Sequence, residues 1–413
     1  MEKVTAEAAL ARVDSGMTIA FPHLSAEPTA LTEALWRRAA QVRDLTIYSG
    51  MLLTGYDFLQ SPAAANFTLK TWFLPGTLLR KTAADVKAEY LPLTWAQTAR
   101  FLNEVPIDIG LIQVSPADEA GMHSLGLNAT VARALVRNAK LVIAQVNPEV
   151  PHTLGDSLVH GSKLDLLVEG ARPLAAYAPR ATDALDAEIG QRIAELVPDG
   201  AVLQLGIGTI PGAAAAALVA RGVRDLTLIS TLTDEARQLI EAGCCRTANP
   251  KAFVGDIIGS NALYRWVDRN EAIALTDAFD THTIESFVRR PGLFCINSAL
   301  EVDLLGQVNC ETLGGRQAGS MGGAVDFAVA GQGVGNRMVI GLRSTTNKGH
   351  ARIVPQLDSH IVSISRTFVE TVVTEHGVAH LRNKSVPERA FALAATAHPD
   401  HRESLLAEAA KLR

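Results

Sequence analysis

The sequence predicts an α/β protein made of two tandem open α/β domains of similar topology. Short apolar, β-branched runs alternate with Ala- and Leu-rich helical stretches along the 413 residues, the pattern of parallel strands covered by helices. Aromatic residues make up 5% of the chain against 48% hydrophobic overall, so the core is mainly Ala, Val, Leu and Ile, as buried parallel strands require. A strand–turn–helix–strand order near the N-terminus also recurs in the second half.

That recurrence is read residue by residue. "GMTIAF…EPTALTEAL…RDLTIYS" is answered from Gly200 by "GAVLQLGIGTIPGAAAAAL…RDLTLIS", setting Arg43–Thr46 against Arg224–Thr227 and Ser49 against Ser230. Further on, "IQVSPADEAG" is answered by "CINSALEVDLLG", "LVIAQVN" by "MVIGLRS" and "DLLVEG" by "TVVTEHG". Four matches in one order, about 180–210 residues apart, point to duplicated domains. The boundary is expected near 176–186, giving domains 1–182 and 183–413, with a ligand in the cleft between them.

Strands are expected at Leu45–Ser49, Ile109–Val114, Leu141–Val146, Ala201–Leu205, Leu226–Ser230, Phe294–Asn297, Met338–Leu342 and Thr371–Val373. Helices are expected at Glu2–Val13, Pro28–Gln41, Asp183–Leu196 with Thr182 as N-cap, Pro211–Arg221 and Arg389–Ala397.

Composition excludes some partners. The formal net charge is −5 and no long Lys/Arg block occurs, which argues against nucleic acid. No run approaches the roughly 18 consecutive apolar residues of a membrane span, and the polar N-terminal stretch carries no signal-peptide core. Cys244, Cys245, Cys295 and Cys310 lack metal-type spacing, and a chain of this size needs no disulfide staples. They read as reduced thiols, and the protein as cytoplasmic.

The sharpest local feature is "AVLQLGIGTIPGAAAAAL", a strand ending in Gly206-Ile207-Gly208 with Pro211 in the first turn of a helix. Such a loop lets backbone N–H groups approach an anionic ligand at a helix N-terminus. A dinucleotide site would want an acid at the end of the next strand; that strand ends in Ser230, with Asp225 at its start, so no nicotinamide cofactor is expected. A tight turn without a ligand is the plain alternative. His376 and His380 have the four-residue spacing of a metal pair on a helix, but no third ligand accompanies them and no metal is expected. Arg343, Lys348, Arg352, Arg382 and Lys384 cluster in sequence near glycine-containing loops and are candidates for phosphate groups or an ordinary solvated face.

Longer strings carry a resemblance. "GLIQVSPADEAGMHSLGLN" (Gly110–Asn128), "AQVNPEVPHTLGDSLVH" (Ala144–His160), "LQLGIGTIPGA" and "VVTEHGVAHLRNKSVPERAFALAATAHPDHRESL" resemble the acetyl-CoA hydrolase / 4-hydroxybutyrate CoA-transferase family of the CoA transferase superfamily. "INSALEVDLLGQVN", "SMGGAVDF" and "ARIVP" agree with it. The resemblance implies two CoA-transferase-like α/β domains, coenzyme A or acyl-CoA as substrate, an enzyme of the CoA-transferase or acyl-CoA hydrolase type, and a homo-oligomer, a homodimer. It implies a ping-pong reaction in which a glutamate attacks the thioester and then itself carries CoA. It places oxyanion donors at Ile207 and Gly322–Gly323. Together with the clustered cations, the expected CoA site runs along Gly206–Gly208, Gly322–Gly323, Lys348, Arg352 and Lys384.

One residue departs from that pattern. Where the family leads from the glycine loop into a His-Thr-Glu segment, this chain reads "LTLISTLTDEARQLIEAG". Aligning Thr233-Asp234 and "LIEAG" without a gap puts Ser230 at the glutamate position. A serine can be acylated but cannot become the CoA thioester, and it needs a base within reach. His23, His123 and His350 qualify by residue type alone; "LISTLT" is not a G-x-S-x-G elbow. Glu235 is the other candidate acid, one turn into the next helix, and Ser230 as a small polar residue ending a strand is the plain reading. The sequence thus predicts an acyl-CoA enzyme that releases CoA by hydrolysis, direct acyl transfer or cyclisation, with an unknown acceptor. The alternatives are a carboxylate CoA-transferase using another glutamate and a non-catalytic CoA-binding protein.

Overall fold

The computed structural model describes residues 2–74, 87–358 and 361–412. Its contacts divide the chain into two units: Met1–Ala178 with Ala252–Thr281, and Pro179–Lys251 with His282–Arg413. Among the described residues, no helix is long and apolar enough to cross a membrane.

In the first unit, eight parallel strands lie in the order Glu2–Lys3, Leu166–Glu169, Ala139–Val146, Ile107–Val114, Thr18–Ala20, Leu45–Ser49, Phe67–Thr71 and Lys87–Tyr90. Because successive side chains of a strand face opposite ways, the sheet buries two faces. Ile19, Ile47, Leu69, Ile109 and Ile143 pack into one apolar cluster with Leu31 and Leu35 of helix Thr29–Arg38. Ala20, Tyr48, Ile112, Val142 and Ala144 pack into another with Val131 and Leu135 of helix Thr130–Asn138. Each fully buried aliphatic side chain contributes about 1.5–3 kcal/mol.

The second unit repeats the pattern. Its strands run in the order Thr227–Leu232, Val202–Leu205, Leu293–Ser298, Arg337–Gly341, Thr371–Thr374 and Gly377–His380. All pair in parallel except the last, which returns as an antiparallel hairpin. In each unit the strand that opens the repeat, Thr18–Ala20 or Val202–Leu205, is flanked by the next strand on one side and a later one on the other. The likeness reaches single residues. Asp44 and Asp225 take positive φ of 60° and 59°, and Gly16 and Gly200 donate their N–H groups to the carbonyls of Arg43 and Arg224.

Strand Leu45–Ser49 matches its expectation residue for residue, and the other seven differ only at their ends. The N-terminus corrects one expectation: Glu2–Lys3 is an edge strand and the helix is only Ala6–Leu10. Pairing with Leu166 and Leu167 overrides the helical propensity of the Ala/Glu-rich segment. A second correction concerns the helix Ala184–Leu196, whose cap is Asp183 and not Thr182. Asp183 Oδ1 accepts from the N–H groups of Leu185 and Asp186, and Asp186 returns the bond to the N–H of Asp183. His376 and His380 flank and end the strand Gly377–His380, so their spacing is not a helical turn.

Asp186 is fully buried and is held by Arg180 at 2.6 Å and Arg343 at 2.8 Å. Replacing one partner of a buried ion pair strands the other charge. Asp186→Ala is therefore expected to cost about 3 kcal/mol, read as a lowered urea midpoint, and Asp183→Ala, at the exposed end of the same network, distinctly less.

Candidate functional site

In open α/β sheets, ligands bind outside the carboxyl ends of the strands, where the strand order reverses. In the second unit that point lies beside Val202–Leu205. The strand ends at Gly206, whose N–H donates to the carbonyl of Ile296 at 2.9 Å. Gly208 has φ 137°, a conformation that only glycine adopts without strain, and it is the residue before helix Thr209–Arg221. Pro211 is the third residue of that helix, still within the turn whose N–H groups lack helical partners. Ile207 stands between the two glycines with 40% of its surface exposed. Beneath the loop, Gln204 and Asn297 exchange hydrogen bonds through their amides.

The neighbouring strand brings Ser230 to the same level. The pairing runs Val202 with Thr227, Leu203 with Leu228 and Gln204 with Ile229, and Ser230 follows one step on. Ser230 is 4% exposed and has φ 93°, a backbone conformation costly for a residue with a side chain. Its Oγ lies 3.2 Å from Nε2 of His282 and 3.5 Å from Oγ1 of Thr231. The strand then closes at Leu232, and Thr233 caps the helix Asp234–Glu241.

His282 is the residue that sequence reasoning missed. It is buried, tilted against Phe327 with ring centroids 4.7 Å apart, and Phe327 packs in turn on Phe287. Burial among these rings pushes the imidazole pKa down to about 3, because a charged ring would lose its hydration there. Gly323, just before helix Ala324–Ala330, closes the other side. A Cβ on it would fall 2.8 Å from Cδ2 and Nε2 of His282, so only glycine fits. Three elements thus meet at one imidazole: the strand carrying Ser230, His282 itself, and the Gly322–Gly323 turn. The local signal available in sequence, a lone "THT" with no periodic partner, did not mark it.

The other sequence candidates lie as follows. Glu235 is half-buried, its Cγ, Cδ and Oε1 lying 3.2, 3.4 and 3.5 Å from where a Cβ on Gly212 would stand. An acid in the first turn also suits the helix dipole. His23, in the first unit, accepts at Nδ1 from the indole N–H of Trp72 at 3.1 Å and stacks on Trp95. His123, in the same unit, donates from Nδ1 to the carbonyl of Ser115 at 2.7 Å. His350 is exposed.

Among the cations, Arg343 is held by Asp183 and Asp186, and Arg382 by Glu370. Arg352 is half-buried near Glu301 and Glu375, and its buried Nε has no hydrogen-bond partner among the described residues. Lys348 and Lys384 are exposed, the latter beside Glu388. No group of three or more His, Cys, Asp or Glu arranged to hold a metal ion occurs among the described residues.

Comparison with known proteins identifies the class. The crystal structure of RipA from Yersinia pestis superposes with a TM-score of 0.90 at 28% identity, covering 99% of this chain and 97% of that one. A 4-hydroxybutyrate CoA-transferase from Porphyromonas gingivalis superposes with a TM-score of 0.82 at 29% identity, covering the same shares. The fold is that of the CoA transferases. In sequence, the 4-hydroxybutyrate coenzyme A transferase of Clostridium kluyveri is 34% identical over 416 residues, 98% of this chain and 96% of that protein. The butyryl-CoA:acetate CoA-transferase of Anaerostipes caccae is 30% identical over 431 residues, 98% of this chain and 95% of that protein. The models of the acetyl-CoA hydrolase/transferase N-terminal and C-terminal domains match residues 1–178 and 259–409. The chain belongs to the acetyl-CoA hydrolase/transferase family and is an enzyme of the CoA-transferase/hydrolase type.

The buried imidazole has a consequence for stability. A histidine binds its proton near pH 6.5 when unfolded but near 3 here. Between those values the unfolded chain holds the extra proton, so stability falls as pH falls. His282→Gln is expected to remove that part of the acid sensitivity. The gap between wild-type and variant denaturation midpoints at pH 7 should shift in the variant's favour at pH 4.5.

Proposed function

We propose that this enzyme consumes an acyl-CoA thioester and releases free CoA without forming a glutamyl-CoA intermediate. The acyl group passes to water or to a neutral nucleophile, including one carried by the acyl chain itself. The observation that carries this reading is the Ser230 hydroxyl, hydrogen-bonded to His282 in the second half of the strand beside the glycine loop. That is the position the family resemblance gives to the glutamate, and a hydroxyl has no carboxyl carbon to which CoA could be joined. Glu235, the nearest alternative in sequence, packs on Gly212.

In this reading the glycine turns at 206–208 and 322–323 supply N–H groups for the tetrahedral oxyanion, Ile207 N–H among them. Arg352, Lys348 and Lys384 meet the phosphates of CoA, since they are not committed to the buried ion pairs that occupy Arg343 and Arg382.

The relatives' names support a second reading, transfer of CoA to a carboxylate, with Glu235 as the acid that would carry it. One experiment separates the two. The purified chain is given a panel of acyl-CoAs, with and without carboxylate acceptors, and products are identified by mass spectrometry. The first reading predicts free CoA with no acceptor present, together with a hydrolysed, cyclised or otherwise acylated product. New acyl-CoAs that form only when a carboxylate is added would establish the second.

A further inference from the structure

Resting on the reading of this enzyme as an acyl-CoA consumer, we infer that Ser230 and His282 are its nucleophile and general base, and that the acyl group is carried on Ser230 Oγ. The chemistry asks for a hydroxyl and a base in hydrogen-bond reach. Oγ of Ser230 and Nε2 of His282 are 3.2 Å apart. A second observation is independent of that contact: Ser230 is held at φ 93° inside the strand Thr227–Leu232, four residues before the helix Asp234–Glu241 begins. Strained backbone of this kind gathers where a side chain is held for function. A third is the packing of Gly323 against the imidazole, which fixes the ring and brings the main chain of a glycine turn to the reacting atoms.

The step balances without another reactant. Ser230 Oγ attacks the thioester carbonyl, its proton moves to His282 Nε2, and the C–O bond forms as the C–S bond breaks. The proton then passes from Nε2 to the departing CoA sulfur, leaving neutral CoA thiol and an acyl-serine ester. In the second half, water or another O–H or N–H nucleophile gives its proton to Nε2 and attacks the ester. Ser230 Oγ leaves and takes that proton back. The imidazole begins each half neutral, as its burial requires. CoA is never attached to the enzyme.

The test uses the full-length chain, the acyl-CoAs of the panel above, rapid acid quench, and intact-protein and peptide mass spectrometry. A mass increase equal to the acyl group, on the peptide containing Ser230, is expected within the first turnover. Ser230→Ala should lose both the adduct and CoA release. His282→Gln should slow adduct formation by roughly 100-fold or more. Ser230→Cys, which keeps a nucleophile of similar size, should still become acylated and so shows that the site survives substitution. Thermal melts of each variant check folding. Free CoA release by Ser230→Ala at the wild-type rate, or an adduct on another residue, would overturn the serine assignment while leaving acyl-CoA consumption standing. Failure of the wild type to release CoA from any acyl-CoA would overturn both.

Discussion

Parallel pairing is the constraint on which the rest of this structure depends. A parallel strand cannot be joined to its neighbour by a hairpin, so the connections between parallel strands cross back over the sheet and those strands end on the same edge. When the order then reverses around Val202–Leu205, the carboxyl-end regions of three neighbouring strands lie side by side. Gly206, Ser230 and Asn297 are there because of register, not because any of them attracts the others. The site is a product of topology first and side-chain chemistry second.

On the proposed reading, that geometry lets a change of one residue redirect the chemistry while the fold stays unchanged. A carboxylate in place of Ser230 would exchange acyl for CoA and preserve thioester energy on the enzyme. A hydroxyl there can hold only the acyl group. The aromatic pocket around His282 keeps the imidazole uncharged, and only an uncharged imidazole can accept a proton from the hydroxyl beside it. The same pocket makes the protein more acid-sensitive, so the arrangement costs stability at low pH that an apolar filler would not.

Much of the fold was legible because the signals are local. Runs such as Leu45–Ser49 and Thr371–Val373 are apolar and β-branched over the length of a strand, and the repeat of "RDLT" marks equivalent turns with equivalent backbone angles at Asp44 and Asp225. What was not legible depends on distant partners. Glu2–Lys3 is a strand only because Leu166 and Leu167 pair with it. Asp183 rather than Thr182 caps its helix, and Arg343, 160 residues away, holds that carboxylate. In the candidate site, the glycine loop and Ser230 stand out in the sequence itself, whereas His282 is 52 residues from Ser230 and belongs to no periodic pattern.

The most direct measurement of the central claim, that CoA is never joined to the enzyme, is borohydride trapping. Borohydride reduces a thioester far faster than an oxygen ester, so an enzyme-bound glutamyl-CoA would be converted irreversibly to an alcohol. The account predicts that enzyme treated with acyl-CoA and then borohydride keeps the activity of enzyme treated with borohydride alone, with no reduced side chain in its peptides. Acyl-CoA-dependent inactivation, with a glutamate found reduced, would contradict it.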